Sequence, residues 1–271
     1  MPSDALISAS SLLQPGDPPP VEIVNIGGRA PAVLVCDHAS NAVPAKLRKL
    51  GLDETTLGRH IAWDIGIAMV GRRLAALLDA PLLLAGYSRL VIDLNRDPGD
   101  PTSICAISDR SVVPGNRDLR HSARAARIAE IFAPYQDAVA AAIAAKAALR
   151  SRASGATPAV VSLHSFTPVI SGWGHERQER PWHVGVLYHR DHGLAAATLA
   201  ALRARGDLVV GDNEPYSAKN GHGYTLATHA EPAGLPNVEI ELRQDLIGDA
   251  AGADRMAEIL AGALKPLLAG L

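Results

Sequence analysis

Short apolar runs alternate with segments of helical periodicity along most of this chain, and this alternation is the strongest constraint on its fold. The runs AVLVC at 32–36 and AVVSL at 159–163 predict buried strands. Apolar residues at helical spacing predict that 55–78 contains one long helix and that 118–150 is helical, with Pro134 as a kink or break. This order of elements favours an α/β fold with a mixed, mostly parallel sheet sandwiched by helices.

The rest of the chain continues the pattern. Further strands are predicted at 81–85, 89–94, 183–188 and 238–242, further helices at 194–204 and 250–268, and polar loops at 103–116 and 211–223. Residues 1–20 end in a Gly-Asp-Pro-Pro-Pro stretch, which predicts a flexible N-terminal arm. No change of composition divides residues 21–271, so we expect them to form a single catalytic-type domain.

Composition argues against several functional classes. The chain has 271 residues, of which 48% are hydrophobic and 20% charged, a balance typical of globular domains. The formal net charge is -2 without a basic block, and aromatic residues make up 4%, so no nucleic-acid surface is expected. Cys36 and Cys105 are too few for a disulfide framework, and neither a signal peptide nor a membrane-spanning run is recognisable. We therefore expect a cytoplasmic protein with a small-molecule partner and no membrane contact.

Polar residues follow or occupy four of the predicted strands. Ligands bind outside the carboxyl ends of the strands in α/β sheets of this type, so these positions are candidates for a site. The set consists of His38, His164, the pair Asn95 and Arg96, and the pair Glu239 and Glu241. Strand ends chosen at random would rarely give this combination, so it predicts a functional site.

The two histidines indicate a zinc site. Neutral imidazole is a good zinc ligand, and a catalytic site needs about three protein ligands with one open position. The alternative is that each histidine caps a turn or satisfies a buried backbone group. We expect one Zn²⁺ ion per chain, bound by His38, His164 and a third ligand that is either Asp64 or Asn41.

Asp64 is the preferred third ligand, because asparagine binds zinc poorly. It lies on the apolar side of the predicted helix, where a lone charge is costly unless it has a partner. A metal ion would supply that partner, and so would Arg89. Asp37 is a candidate for orienting one of the imidazoles from outside the ligand set.

Glu239 and Glu241 are the candidate general bases. Their period-two spacing puts both carboxyl groups on one face of the strand. One of them could activate water and then pass the proton to the leaving amine. The alternatives are a solvated face of an edge strand or a salt bridge to Arg243.

Arg89 and Arg96 are candidates for binding a substrate carboxylate, because a guanidinium presents a planar fork that matches a carboxylate. The alternative is a structural ion pair with Asp93 or Asp97. Neighbouring polar side chains complete the expected substrate-binding set, namely Ser40, Asn41, Asn95 and His229, with His222 as a weaker candidate.

Six segments together resemble the N-formylglutamate amidohydrolase family. They are VLVCDHASNAVP (33–44), the Trp63-Asp64 segment, YSRLVIDLNRDP (87–98), VVSLHSFTP (160–168), DNEPYSAKNGHGYTLATHA (212–230) and NVEIELRQDLI (237–247). The similarity begins near Val21 and keeps the order of the segments. The resemblance implies a phosphorylase/hydrolase-like fold, shared with zinc carboxypeptidases and aspartoacylases, and hydrolysis of N-formyl-L-glutamate to L-glutamate and formate in histidine degradation.

The resemblance also implies residue roles. In aspartoacylase-like enzymes a DLNR segment supplies the arginine that holds the substrate carboxylate, which corresponds to Arg96. A late I-E-V strand in those enzymes carries the general base, which favours Glu241 over Glu239. Two departures stand out. Asn41 occupies the glutamate position of the relatives' H-x-x-E motif, and His38-Ala39-Ser40 stands where better-known formylglutamate hydrolases have His-Ser-Gly, so the chain resembles a divergent branch.

The resulting hypothesis is a zinc-dependent amidohydrolase. His38, His164 and Asp64 would hold the metal, Glu241 would activate water, and Arg96 with Arg89 would bind the carboxylates of an acidic N-acyl amino acid. One alternative keeps the metal site but acts on another N-acyl amino acid, or as a carboxypeptidase-like hydrolase. A second alternative is a non-catalytic small-molecule binding protein on the same fold.

Overall fold

The computed structural model describes residues 11–153, 157–170, 177–218 and 223–271. Its strands are β1 (Val21–Val24), β2 (Ala32–Cys36), β3 (Leu82–Ala85), β4 (Ile107–Ser108), β5 (Ser111–Val112), β6 (Ala159–Phe166), β7 (Val169–Ile170), β8 (Gln178–Glu179), β9 (Val184–Leu187), β10 (Val210–Asp212) and β11 (Asn237–Arg243). Its α-helices are α1 (Glu54–Leu57), α2 (Ile67–Leu78), α3 (His121–Arg127), α4 (Ala133–Ala153), α5 (Gly193–Arg203), α6 (Tyr224–His229) and α7 (Ala250–Ala269). A π-helical turn over Ile128–Phe132 joins α3 to α4.

The main sheet has the strand order β1-β3-β2-β6-β11-β9-β10. Strands β3, β2, β6 and β11 run parallel to one another, and β10 runs parallel to β9. The two antiparallel pairs are β1 with β3 and β11 with β9. This topology confirms the predicted mixed, mostly parallel sheet. Strands β4 and β5, and strands β7 and β8, form separate two-stranded ribbons.

The helices cover both faces of this sheet. On β2, Ala32, Leu34 and Cys36 pack in the apolar core formed with α2, α5 and α7. Val33 and Val35 point the other way, into the core formed with α4. Because both faces are covered, β2 is apolar at every position rather than alternating, as expected for an interior strand of a parallel sheet.

Strand β11 is apolar on one face only, whereas β6 is apolar on one face and carries Ser162 and His164 between Val160 and Phe166 on the other. Val238, Ile240 and Leu242 of β11 pack in the same core as α2 and α7. Glu239 and Glu241 therefore point to the opposite face, since neighbouring residues of a strand alternate. The apolar face fixes the register, and the polar face of these two interior strands is buried rather than solvated.

The region 55–78 contains the predicted long helix, but the placement of Asp64 on that helix is wrong. The chain forms the short helix α1, passes through turns, and begins α2 only at Ile67. Gly66 stops the helix, because it has a φ of 85°, and a Cβ on it would lie 2.2 Å from the carbonyl oxygen of Ile247. Asp64 consequently lies in the turn before α2 and not on a helix. Its N–H donates to the carbonyl oxygen of His38 at 2.9 Å, which ties this turn to the end of β2.

The predicted strand over 89–94 is also wrong. This segment is buried, but it consists of turns and irregular backbone outside any sheet. Buried carbonyl groups need hydrogen-bond donors, and here side chains supply them instead of a neighbouring strand. Asn116 donates to Leu90 at 2.8 Å, Arg127 to Val91 at 2.8 Å, and Gln136 to Leu94 at 2.7 Å. An apolar run alone cannot distinguish this arrangement from a strand.

Residues 11–20 lie against the domain. Leu12 is buried, and its N–H donates to Oε1 of Glu130 at 2.7 Å. The Tyr87 hydroxyl donates to the carbonyl oxygen of Pro18. Residues 1–10 lie outside the described residues, so the flexible arm stays a prediction there. Among the helices that the structure describes, none is both long and apolar enough to cross a membrane.

Candidate metal centre

A cavity of about 550 Å³ lies beside β6 and β11 and the segment that follows β2. Its wall combines residues from seven separate stretches of the chain, which include the four groups that the strand-end reasoning predicts. The lining residues are His38, Asp64, Arg89, Asp93, Asn95, Arg96, Asp97, Asp100, His164, Ser165, Tyr216, Gly223, Tyr224, Ala227, Glu239 and Glu241. His164 lies within β6 rather than after it, because this strand extends to Phe166.

Three buried side chains in this cavity form a potential metal site. His38, Asp64 and His164 each offer one ligand atom, and these atoms all lie within 4.8 Å of one another. Nδ1 of His164 is 3.0 Å from Oδ2 of Asp64, and Nδ1 of His38 is 3.6 Å from Oδ1 of the same carboxylate. Tetrahedral zinc with ordinary bond lengths separates its ligand atoms by roughly 3.3 Å, so these distances fit the ion.

The second nitrogen of each imidazole faces another buried carboxylate. Nε2 of His38 is 2.7 Å from Oδ1 of Asp93, and Nε2 of His164 is 3.4 Å from Oδ2 of Asp37. An ionised carboxylate only accepts hydrogen bonds, so Nε2 of His38 carries the proton and its Nδ1 is left to bind a cation. His164 has a carboxylate oxygen near each nitrogen, and its Nδ1 is the one on the side of Asp64. Metal-binding histidines usually have this outer carboxylate partner. Nδ1 of His38 has no hydrogen-bond partner among the described residues, which a metal ion would supply.

The electrostatics of the cluster also favour a cation. Burial opposes a charge on both imidazoles, but the surrounding carboxylates outweigh it and raise the pKa of His38 and of His164. Burial likewise opposes ionisation of Asp64, but the two histidines hold the pKa of Asp64 well below its ordinary value. A bound metal ion would provide the positive charge that protons otherwise have to provide at these carboxylates.

Glu239 and Glu241 lie side by side on β11 at the cavity wall. Glu241 pairs in register with His164 on β6 and with Gly185 on β9, which brings it directly beside the cluster. Burial raises the pKa of Glu241 well above its ordinary value and also raises the pKa of Glu239. Oε2 of Glu241 has no hydrogen-bond partner within the described part of the chain. Such a carboxyl group is suited to exchanging protons near neutral pH.

Arg89 and Arg96 both contact Asp93. Nη2 of Arg89 donates to Oδ2 of Asp93 at 2.7 Å, and Nε of Arg96 lies 3.4 Å from the same oxygen. Asp93 therefore connects His38 to both arginines, so the ion pair that the sequence offered as an alternative is present. Arg96 also donates from Nη1 to Thr102 at 2.7 Å, while about a third of its side chain, 36%, stays exposed at the cavity.

Asn95 joins the cluster to helix α6. Its Oδ1 accepts a hydrogen bond from the N–H of Thr225 at 3.0 Å, and its Nδ2 is 3.3 Å from Nε2 of His164. The Thr225 hydroxyl donates to Oδ1 of Asp37 at 2.8 Å. Asn95 and Thr225 thus hold the side chains behind His164 in place.

Several predicted substrate-binding residues are not part of the cavity wall. Ser40, Asn41 and His229, all described, do not line it. Asn41 donates to the carbonyl of Leu57 at 3.0 Å, so the structure does not bring this alternative third ligand to the cluster. Nε2 of His229 is 2.7 Å from Oε1 of Gln136 instead. His222 lies outside the described residues.

Sequence reasoning missed the roles of Asp93 and Tyr216. Asp93 begins the DLNR segment, yet we treated it only as a possible partner of Arg96. The available signal was its position between Arg89 and Arg96, directly after the apolar run 90–92. Tyr216 had no distinguishing signal, because a single tyrosine in a polar loop is common.

Comparisons with known proteins found a matching family model and similar solved structures. A model of the N-formylglutamate amidohydrolase family matches residues 30–248. A gene product of Agrobacterium tumefaciens with a solved structure is 35% identical, with 96% of this chain and 98% of the other covered, at a TM-score of 0.87. No curated protein matches the sequence significantly.

More distant solved structures were also found. The N-formylglutamate amidohydrolase from Ralstonia eutropha is 18% identical, with 94% of this chain and 98% of the other covered, at a TM-score of 0.66, so the two share a fold. An aspartoacylase family protein from Mesorhizobium loti is 15% identical, with 90% of this chain and 61% of the other covered. Its TM-score of 0.35 supports no conclusion.

Proposed function

The chain belongs to the N-formylglutamate amidohydrolase family, and we propose that it is a zinc-dependent enzyme that hydrolyses the amide bond of an N-acyl amino acid. Family membership supports an amide hydrolase in general. The expected substrate is N-formyl-L-glutamate, which would yield formate and L-glutamate. The expected partner is therefore a small acidic molecule.

One observation carries this proposal: the buried group of His38, Asp64 and His164 opens onto a cavity beside Glu241. Two imidazoles and one carboxylate are a common protein ligand set of catalytic zinc. When bound, zinc supplies Lewis-acid polarisation of the amide carbonyl and a nucleophile at neutral pH. The outer partners Asp93 and Asp37 hold the imidazoles with Nδ1 directed at the metal position.

Glu241 is the proposed general base. It is buried next to His164, and burial raises its pKa, so it can take a proton from water and return that proton to the leaving amine. Glu239 is buried on the same face, and we propose that it supports Glu241 without exchanging protons with the substrate.

Arg96 is the proposed anchor for a substrate carboxylate. Its guanidinium is partly exposed at the cavity, whereas Arg89 is held more firmly by Asp93 and lies near Asp64. We propose that Arg96 contacts the carboxylate and that Arg89 keeps Asp93 in position. Asn95 is engaged by Thr225 and His164, which supports a positioning role instead of the predicted contact with substrate.

Formate release from N-formyl-L-glutamate tests the proposal. Activity should disappear after chelation and return with zinc, and N-acetyl-L-glutamate and an N-blocked dipeptide in the same assay would identify another acyl preference or carboxypeptidase-like activity. His164→Ala should abolish activity, while the control His121→Ala, at an exposed position on α3, should retain it. Full activity of the metal-free protein, or no hydrolysis of any of these amides by the zinc-loaded protein, would reject the proposal.

A further inference from the structure

Arg180 is a buried cation that the proposed reaction does not use. It is only 6% exposed, and it forms no ion pair with a carboxylate in the part of the chain that the structure describes. Its Nη1 donates to the hydroxyl of Tyr216 at 2.8 Å and lies 3.5 Å from Oγ1 of Thr167. A buried guanidinium without an anion is costly, and here the hydroxyl and ring of Tyr216 are its main partners.

Tyr216 connects Arg180 to the cavity. The guanidinium carbon of Arg180 is 4.7 Å from the centre of the tyrosine ring, and Tyr216 itself lines the cavity. Because Arg180 donates to the phenolic oxygen, the tyrosine's own proton is left to be donated to another group. Desolvation of the hydroxyl raises the pKa of Tyr216, although 39% of the residue is exposed, so the hydroxyl keeps that proton.

Two glycines allow the segment before Tyr216 to lie close to the sheet. A Cβ on Gly185 of β9 would lie 2.1 Å from the carbonyl oxygen of Glu214, and a Cβ on Gly211 of β10 would lie 2.7 Å from the same atom. The Cβ on Gly185 would also lie 3.2 Å from Cβ of Glu241. The close approach of this backbone therefore brings Tyr216 to the same part of the sheet as the proposed base.

Arg96 and Tyr216 reach the cavity from different halves of the sheet. Arg96 follows β3, near one edge, whereas Tyr216 follows β10 at the other edge, and the strands β6 and β11 lie between them. The cavity wall therefore has hydrogen-bond donors at two separate places, the Arg96 guanidinium and the Tyr216 hydroxyl.

We propose that Tyr216, held by Arg180, forms a second carboxylate-binding position, which makes the cavity selective for substrates with two carboxylates. In this arrangement Tyr216 donates its hydroxyl proton to one carboxylate, and Arg96 binds the other. Arg180 is a positioning residue, because it acts through Tyr216 and through its charge. The inference rests on the proposed function for the identity of the substrate, but the binding of a dicarboxylate can be measured without turnover.

Calorimetric binding of glutarate and of glutaramate, in which one carboxylate is an amide, tests the inference on the full-length zinc-loaded protein. The wild type should bind glutarate more tightly by about 10- to 100-fold, the usual effect of a hydrogen bond to a charged group. Tyr216→Phe and Arg180→Met should bind the two ligands equally, and Arg180→Lys should restore part of the preference. Tyr188→Phe and Arg203→Met are the matched controls, because both residues contact Asp212 outside the cavity.

The possible results distinguish a failure of this inference from a failure of the proposed function. If the wild type binds glutarate and glutaramate equally, or binds neither, the inference is overturned, whatever the hydrolysis assay shows. A loss of preference in a folded Tyr216→Phe supports it even if N-formyl-L-glutamate is not hydrolysed, which would reject only the function. Tyr216→Phe could instead keep the preference for glutarate and lower kcat equally for N-formyl-L-glutamate and N-formyl-L-glutamine. That result would mean that Tyr216 contacts the oxyanion formed during hydrolysis, and it would overturn the inference.

Discussion

Nε2 of His38 lies 2.7 Å from Oδ1 of Asp93, and both side chains are about 95% buried, with relative exposures of 4% and 5%. Asp93 also accepts a hydrogen bond from Arg89 and lies near Arg96, so a single carboxylate joins the candidate metal site to the candidate substrate-binding arginines. Arg89 and His38 outweigh the effect of burial and hold the pKa of Asp93 well below its ordinary value. The carboxylate is therefore charged in the folded protein.

Replacing Asp93 with asparagine should weaken zinc binding. The amide keeps the shape but removes the charge that fixes the His38 tautomer, and loss of such an outer partner typically costs about 10- to 100-fold in metal affinity. Competition with a chromophoric chelator measures this affinity. Asp97→Asn, at an exposed neighbouring position, is the control and should leave the affinity unchanged. Equal zinc affinity in wild type and Asp93→Asn would refute the role of this carboxylate.

Glu241→Gln should lower kcat by about 10²- to 10⁴-fold, because general acid–base catalysis contributes factors of this size. Zinc content should not change, since Glu241 is not one of the three candidate ligands. Glu239→Gln is the matched comparison on the same strand face and should lower kcat less. If Glu239→Gln has the larger effect on kcat, Glu239 is the base and our assignment is wrong.

Gly66→Ala should destabilise the protein and disturb the metal site together. The φ of 85° and the 2.2 Å approach to the Ile247 carbonyl leave no room for a methyl group next to the turn that carries Asp64. We expect the free energy of unfolding to fall by about 2 kcal/mol or more, and zinc affinity to fall as well. Gly262→Ala within α7 is the control, because a Cβ there meets nothing within 4 Å. It should raise stability by up to about 1 kcal/mol.

Arg127→Met should lower stability through the segment over 89–94. Arg127 is buried and donates to the carbonyl of Val91 at 2.8 Å and to Oδ1 of Asn116 at 2.7 Å. Methionine would leave these buried acceptors unsatisfied, at a cost of about 2–4 kcal/mol in urea denaturation. The exposed Arg117→Met should change the unfolding free energy by less than about 0.5 kcal/mol, and a similar loss in both variants would contradict this account.

The parts of the fold that follow from repeated patterns could be predicted from the sequence. Strand β2 and helix α7 lie where the apolar periodicity predicted them. Burial of a strand on both faces, or of a helix along one side, requires apolar residues at regular positions in the sequence. His38 and His164 could be placed at the sheet from their position at strand ends. Their convergence with Asp64 was expected only as a preference, since no local pattern encodes which distant loops meet.

The wrong predictions have physical causes that are not visible in local sequence patterns. Gly66 interrupts the helix because of its contact with Ile247, which is 181 positions away and invisible in a helical periodicity. The segment over 89–94 resembles a strand because it is buried, but side chains from 116, 127 and 136 satisfy its backbone. Arg180 was overlooked because its contact with Tyr216 joins segments that are 36 positions apart in the sequence.

The most direct test of the central claim is anomalous diffraction at the zinc absorption edge from crystals of the zinc-loaded protein. The account predicts one peak bounded by Nδ1 of His38, Nδ1 of His164 and the carboxylate of Asp64, each about 2.0–2.2 Å from the ion. Nε2 of His38 should remain on Asp93. A peak elsewhere in the molecule, or zinc bound through Nε2 with Asp93 displaced, would contradict the account.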